Sequence, residues 1–153
     1  MTKLYQFAPE VCAFFSKDRD FAQAQFQAKG LTIFWIDGKK CPTSKDFVEQ
    51  LALAVQFSGE ELSLNILSQE LSNLDWLDAK KFGICITDAD LLFASGNRYM
   101  WQYLLGMAQN IQSNVEDFNR PSISWLLQME KPKIEELQEF FEKELGFVVQ
   151  YLN

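Results

Sequence analysis

Only a few residues in this chain have the types and spacing to do chemistry. Asp88 and Asp90 sit two apart at the end of an apolar run, Phe82-Gly83-Ile84-Cys85-Ile86-Thr87. Paired carboxylates at the carboxyl end of a strand are where open α/β sheets receive ligands. A hard cation needs more oxygen ligands than two carboxylates supply, and no third carboxylate stands at ligand spacing. Asp88 therefore reads first as a residue that caps the turn after the strand. The second group is the acidic-polar stretch Phe57-Ser58-Gly59-Glu60-Glu61, followed by Ser63, Asn65 and Gln69. Its chemistry is recognition: carboxylates before a helix and amides along one helix face can hold a partner, but they activate nothing. Glu60 and Glu61 also suit a helix N-terminus in any protein.

What is missing narrows the function further. The chain has no histidine, and so lacks the commonest general base, the commonest zinc ligand and the usual pH switch. Cys12, Cys41 and Cys85 are odd in number and far apart, with no CxxC pair and no disulfide framework. Cys85 lies inside an apolar run and reads as a core thiol. No Gly-rich phosphate loop is present. No catalytic mechanism can be written on this set, and neither a cofactor nor a metal is expected.

The elements that must position these residues follow from periodicity. Residues 1–30 read as a helical preface, with Phe14-Phe15 and then Phe21, Ala22, Gln25 and Phe26 at helical spacing, stopped by Gly30. Leu31–Ile36 reads as a strand and Asp37-Gly38 as a turn. Thr43-Ser44-Lys45-Asp46 fits a capping box, and Phe47, Leu51, Ala54 and Val55 give the helix a buried stripe. Ser63 caps a second helix that turns Leu64, Leu67, Leu71 and Leu74 inward and Asn65, Gln69 and Ser72 outward.

The run 82–87 shows no alternation, as expected of a parallel strand covered on both faces. A helix over about 97–113 follows, carrying Trp101 inward. Pro121 then introduces a strand through Ile123, Trp125 and Leu127. A last helix from Pro132 buries Ile134, Leu137, Phe141 and Leu145 and shows glutamates outward. Phe147–Leu152 reads as an edge strand. Strands alternating with helices give a three-layer α/β domain with a small parallel sheet covered by helices. The expected division is one domain over 1–153, with a core at about 31–130, the preface at 1–30 and an added helix and strand at 131–153.

Length, composition and charge set the bounds. At 153 residues, 48% of them hydrophobic with 14 Phe and 4 Trp, the chain holds ample material for one core. With 21 acidic against 14 basic residues the net charge is −7. That sign opposes nucleic acid and anionic membrane as partners and favours a basic protein. No signal-peptide core or membrane-length apolar stretch is read, so the expectation is a cytoplasmic protein.

Two stretches carry a resemblance. Trp35-Ile36-Asp37-Gly38 with Ser44, Asp46, Phe47 and Leu51, and Leu71-Ser72-Asn73-Leu74-Asp75-Trp76-Leu77 leading into 82–90, resemble the barstar family of ribonuclease inhibitors over roughly residues 20–130. The resemblance implies a barstar-like fold with N- and C-terminal extensions. It also implies an immunity protein or antitoxin that blocks a partner toxin in a 1:1 complex, a basic protein with a nuclease as one candidate. The implied contact residues are Phe57, Gly59, Glu60, Glu61, Ser63, Asn65 and Gln69. The family's two signature aspartates fall on Asn65 and Gln69, and its Asn and Trp on Ser63 and Leu64, so this chain carries amides where the family carries carboxylates. The alternative is a diverged, non-inhibitory interaction or regulatory module on the same scaffold.

Overall fold

The computed structural model describes residues 4–8, 11–14, 19–57, 63, 81–91, 122–143 and 150–152. These build a mixed α/β fold around a six-stranded sheet. In chain order the strands are β1 (Leu4–Ala8), β2 (Val11–Phe14), β3 (Thr32–Asp37), β4 (Lys81–Thr87), β5 (Ser122–Gln128) and β6 (Gln150–Leu152). The helices are α1 (Arg19–Ala28), α2 (Ser44–Ala54) and α3 (Lys131–Lys143). In space the strands run β3-β4-β5-β2-β1-β6. The first four are mutually parallel, while β1 pairs antiparallel with both β2 and β6.

The parallel centre follows from composition. Phe82 to Ile86 are all buried, as a strand covered on both faces requires. Register sets Ile33 beside Gly83 and Trp35 beside Cys85, with Ser124 and Leu126 next along, so these side chains share one face. Helix α1 covers that face, bringing Ala22 and Phe26 onto Cys85 and Leu126. A Cβ on Gly83 would lie 2.9 Å from the Phe26 ring, so glycine there lets the helix approach. Cys85 is 1% exposed and is the core thiol expected of it.

The strand and helix that follow form as read. Thr43 caps α2, its hydroxyl accepting the Asp46 N–H at 3.2 Å and donating to the Asp46 carboxylate at 2.8 Å. Phe47, Val48, Leu51, Ala52 and Val55 are buried, while Ala54 is only half-buried. Burying side chains the size of Phe47 and Leu51 stabilises the domain by about 1.5–3 kcal/mol each. The helix ends in a Schellman motif. The Gln56 N–H donates to Leu53 and the Phe57 N–H to Ala52, with Gln56 in the left-handed region at φ 61. Glycine takes that conformation freely, whereas glutamine is strained in it. Gln56→Gly is therefore expected to raise stability by about 0.5–1 kcal/mol, read as a higher urea midpoint at unchanged m-value.

The opening residues correct the sequence reading. Where a helical preface was expected over 1–30, Leu4–Ala8 and Val11–Phe14 are strands, and helix begins only at Arg19. Two causes are physical. Pro9 cannot continue a helix from the residues before it. In addition, Val11–Phe14 finds a parallel partner in Trp125–Gln128, a pairing invisible to local periodicity. Gly30 ends α1 at φ +71, as its position suggested. The terminal strand β6 sits on the outer edge against β1.

In α3, Ile134 and Leu137 are buried and Glu135, Glu136, Glu139 and Glu142 are exposed, with ion pairs Lys133–Glu136 at 3.5 Å and Lys143–Glu139 at 2.8 Å. The helices read over 63–77 and 97–113, with Leu71–Leu77 and Trp101, lie outside the described residues apart from Ser63. Among the described residues no helix is long and apolar enough to cross a membrane.

Candidate functional site

The parallel strands deliver their carboxyl ends to one place. β3 ends at Asp37, β4 at Thr87 and β5 at Gln128, and the register leaves Trp35, Asp37, Thr87 and Gln128 on the same face as the α1 contact. Beyond the edge of that contact a cleft opens, with a volume of about 440 Å³. Lys40, from the turn after β3, and Gln50 of α2 line it together with Asp88.

The two strand ends are locked together. Asp37 caps a single 3-10 turn, Gly38–Lys40, by accepting the Lys39 N–H at 3.0 Å. Gly38 is pressed so closely to the turn after β4 that an added Cβ would lie 2.3 Å from the Asp88 carbonyl oxygen. Thr87 donates its hydroxyl to the Ile36 carbonyl at 3.3 Å, a second tie between the ends. Asp88 adopts φ 48, a left-handed conformation that aspartate tolerates better than most residues. Its carbonyl accepts the Leu91 N–H at 3.0 Å, which closes the turn through the backbone.

Electrostatics at this edge are acidic but partly balanced. Lys39 Nζ lies 3.7 Å from the Asp88 carboxylate, with the lysine 64% exposed and the aspartate 23% exposed. An exposed pair of that length contributes little. Burial pushes the Asp90 carboxyl up from its usual range, with smaller contributions from Asp88 and Glu130. Burial likewise pushes the Cys41 thiol up to about 11, helped by Asp37 and Asp46, and its S–H points to the Asp37 carbonyl at 3.5 Å. A thiol so raised is protonated and a poor nucleophile near neutrality.

Gln128 is the unusual member. It is a polar residue 5% exposed at the end of the apolar strand Ser122–Gln128, and its side chain has no hydrogen bond among the described residues. Among the described residues no group of three His, Cys, Asp or Glu could hold a metal ion. The cleft thus offers two carboxylates, an ammonium group, two amides and an indole.

Two of the sequence-derived contact residues are described, and neither lines the cleft. Phe57 is half-buried at the end of α2, and Ser63 is exposed. Gly59, Glu60, Glu61, Asn65 and Gln69 lie outside the described residues. Of the strand-end residues, the sequence pointed to Asp88 and Asp90. It passed over Trp35, Lys40, Gln50 and Gln128, whose convergence depends on register. The one available signal was a glutamine closing the run Ile123-Ser124-Trp125-Leu126-Leu127. Searches of family models, of curated proteins and of solved structures find no match to this chain.

Proposed function

We propose that the chain is a barstar-like binding protein, an immunity protein or antitoxin that covers a basic protein toxin in a 1:1 complex in the cytoplasm. The observation that carries this reading is the unit formed by β3, the Asp37-Gly38 turn and the Thr43-capped α2, with β4 parallel beside β3. That unit holds the first of the two stretches that resemble the family, Trp35–Gly38 with Ser44, Asp46, Phe47 and Leu51, and it belongs to a chain of net charge −7. The reading takes the three-layer, barstar-like arrangement as its scaffold, extended by the β1–β2 hairpin, α3 and β6. Its contact surface is the loop and helix start holding Phe57, Gly59, Glu60, Glu61, Ser63, Asn65 and Gln69.

Asn65 and Gln69 shape the choice of target. Removing one member of a desolvated charge pair costs about 2–5 kcal/mol. Two amides in place of two carboxylates therefore weaken any fit to an enzyme whose phosphate-binding cations demand negative charge. The partner is expected to be a basic toxin with different surface cations, met by Glu60 and Glu61.

The test is co-expression of the full chain with the protein encoded beside it, followed by sedimentation of the purified material. A single 1:1 species in which the toxin is inactive is the expected result. A partner that remains active in the complex favours the diverged interaction module. Migration of the chain alone, with the toxin unprotected, removes the antitoxin reading.

A further inference from the structure

The cleft at the strand ends is lined by none of the residues assigned to the partner surface, and its chemistry specifies its own ligand. Its walls hold two carboxylates, Asp37 and Asp88, the indole of Trp35 and the side-chain amides of Gln50 and Gln128. Gln128 is 5% exposed, lines the cleft and has no side-chain hydrogen bond among the described residues. The residue is buried, but its amide is not among the fully buried polar atoms, so it reaches the cleft, where a ligand can bond it.

The possible ligands separate by charge and shape. Asp37 and Asp88 outnumber Lys40 on the cleft wall and disfavour an anion. A neutral sugar leaves both carboxylate charges unused. A compact ammonium ion is a strongly hydrated point charge that does not stack well on a ring. A guanidinium is planar, stacks on an aromatic face and carries five N–H donors in a fixed fork, enough to meet two carboxylates and an amide oxygen together. The Lys39–Asp88 pair, 3.7 Å long and largely exposed on the lysine side, yields easily to such a competitor.

We propose that this cleft binds a guanidinium group, seated against Trp35, held by Asp37 and Asp88, and bonded to the side-chain carbonyl of Gln128. The group can come from a free arginine-like molecule or from an arginine side chain of a protein. Lys40 on the cleft wall distinguishes these sources, because a free amino acid brings a carboxylate to meet it and a residue within a chain does not.

The experiment is a nitrogen-15 NMR titration of the full chain, following the Trp35 indole and glutamine side-chain amide resonances. The probes are L-arginine, N-acetyl-arginine amide, N-acetyl-citrulline amide and N-acetyl-lysine amide. Citrulline keeps the shape and hydrogen-bonding plane of arginine but not its charge. Both arginine probes are expected to shift these resonances with dissociation constants of about 1–10 mM, as for a lone exposed cation–π and ion-pair contact.

The citrulline and lysine probes are expected to bind at least about tenfold more weakly. L-arginine binding more tightly than the amide assigns a free ligand, and the reverse order assigns a protein arginine. Asp88→Asn, which asparagine accommodates in the left-handed region, is expected to weaken the arginine probes about tenfold at unchanged circular dichroism. Gln128→Leu gives an independent check at the amide. Absence of shifts with either arginine probe, equal binding of citrulline, or binding indifferent to Asp88→Asn and Gln128→Leu would overturn the proposal. None of these outcomes involves the toxin partner, so they leave the reading of the loop-helix surface standing.

Discussion

Gly38→Ala is expected to lower the unfolding free energy by about 3 kcal/mol, the upper range for forcing a methyl group into a packed site. The added Cβ would meet the Asp88 carbonyl oxygen at 2.3 Å and the Thr87 carbonyl oxygen at 2.7 Å. Both neighbours are backbone, held by the β3–β4 ladder and by the Leu91 N–H bond to Asp88. Neither can swing aside as a side-chain tip would. Glycine is needed here for space, not for conformational freedom. Relief requires the two strand ends to part, which also opens the cleft between Asp37 and Asp88. Urea denaturation checks the size of the effect. A substitution costing less than about 1 kcal/mol would show that the two turns are not held together as described.

Trp125→Ala is expected to cost about 3–5 kcal/mol, because Trp125 is the largest fully buried side chain among the described residues, at 1% exposure in the middle of β5. Trp125→Phe should cost far less than its loss of volume suggests, about 1 kcal/mol. The indole Nε1 is buried without a hydrogen-bond partner among the described residues, so replacing it by a hydrocarbon ring removes an unsatisfied donor along with the lost contacts. The gap between the two variants is the diagnostic. If Trp125→Phe were as damaging as Trp125→Ala, the indole nitrogen would have to make a bond that matters.

Legibility in the sequence tracked how local the cause was. The cap at Thr43 and Asp46, the stop at Gly30 and the unbroken apolar run of β4 are written within a few residues, and the structure contains them. The hairpin of β1 and β2 is not local. Leu4–Ala8 and Val11–Phe14 are short, and what makes them strands is pairing with β5 and β6 far along the chain. In sequence the Phe14-Phe15 pair looks helical because the next aromatic, Phe21, begins a true helical pattern. The cleft was half legible for the same reason. Asp88 stands out after an apolar strand, whereas Gln50, Lys40 and Gln128 come together only through register and a crossover.

Recognition of a basic partner through Glu60 and Glu61, as proposed, is tested most directly by association kinetics. The association rate of the chain with its co-purified partner should be measured by stopped flow at about 0.01 M and 0.15 M salt, for the natural chain and for Glu60→Lys/Glu61→Lys. The natural chain is expected to associate about tenfold or more slowly at the higher salt, and the reversed pair slowly with little salt dependence. A rate that is the same for both proteins at both salt concentrations would contradict it.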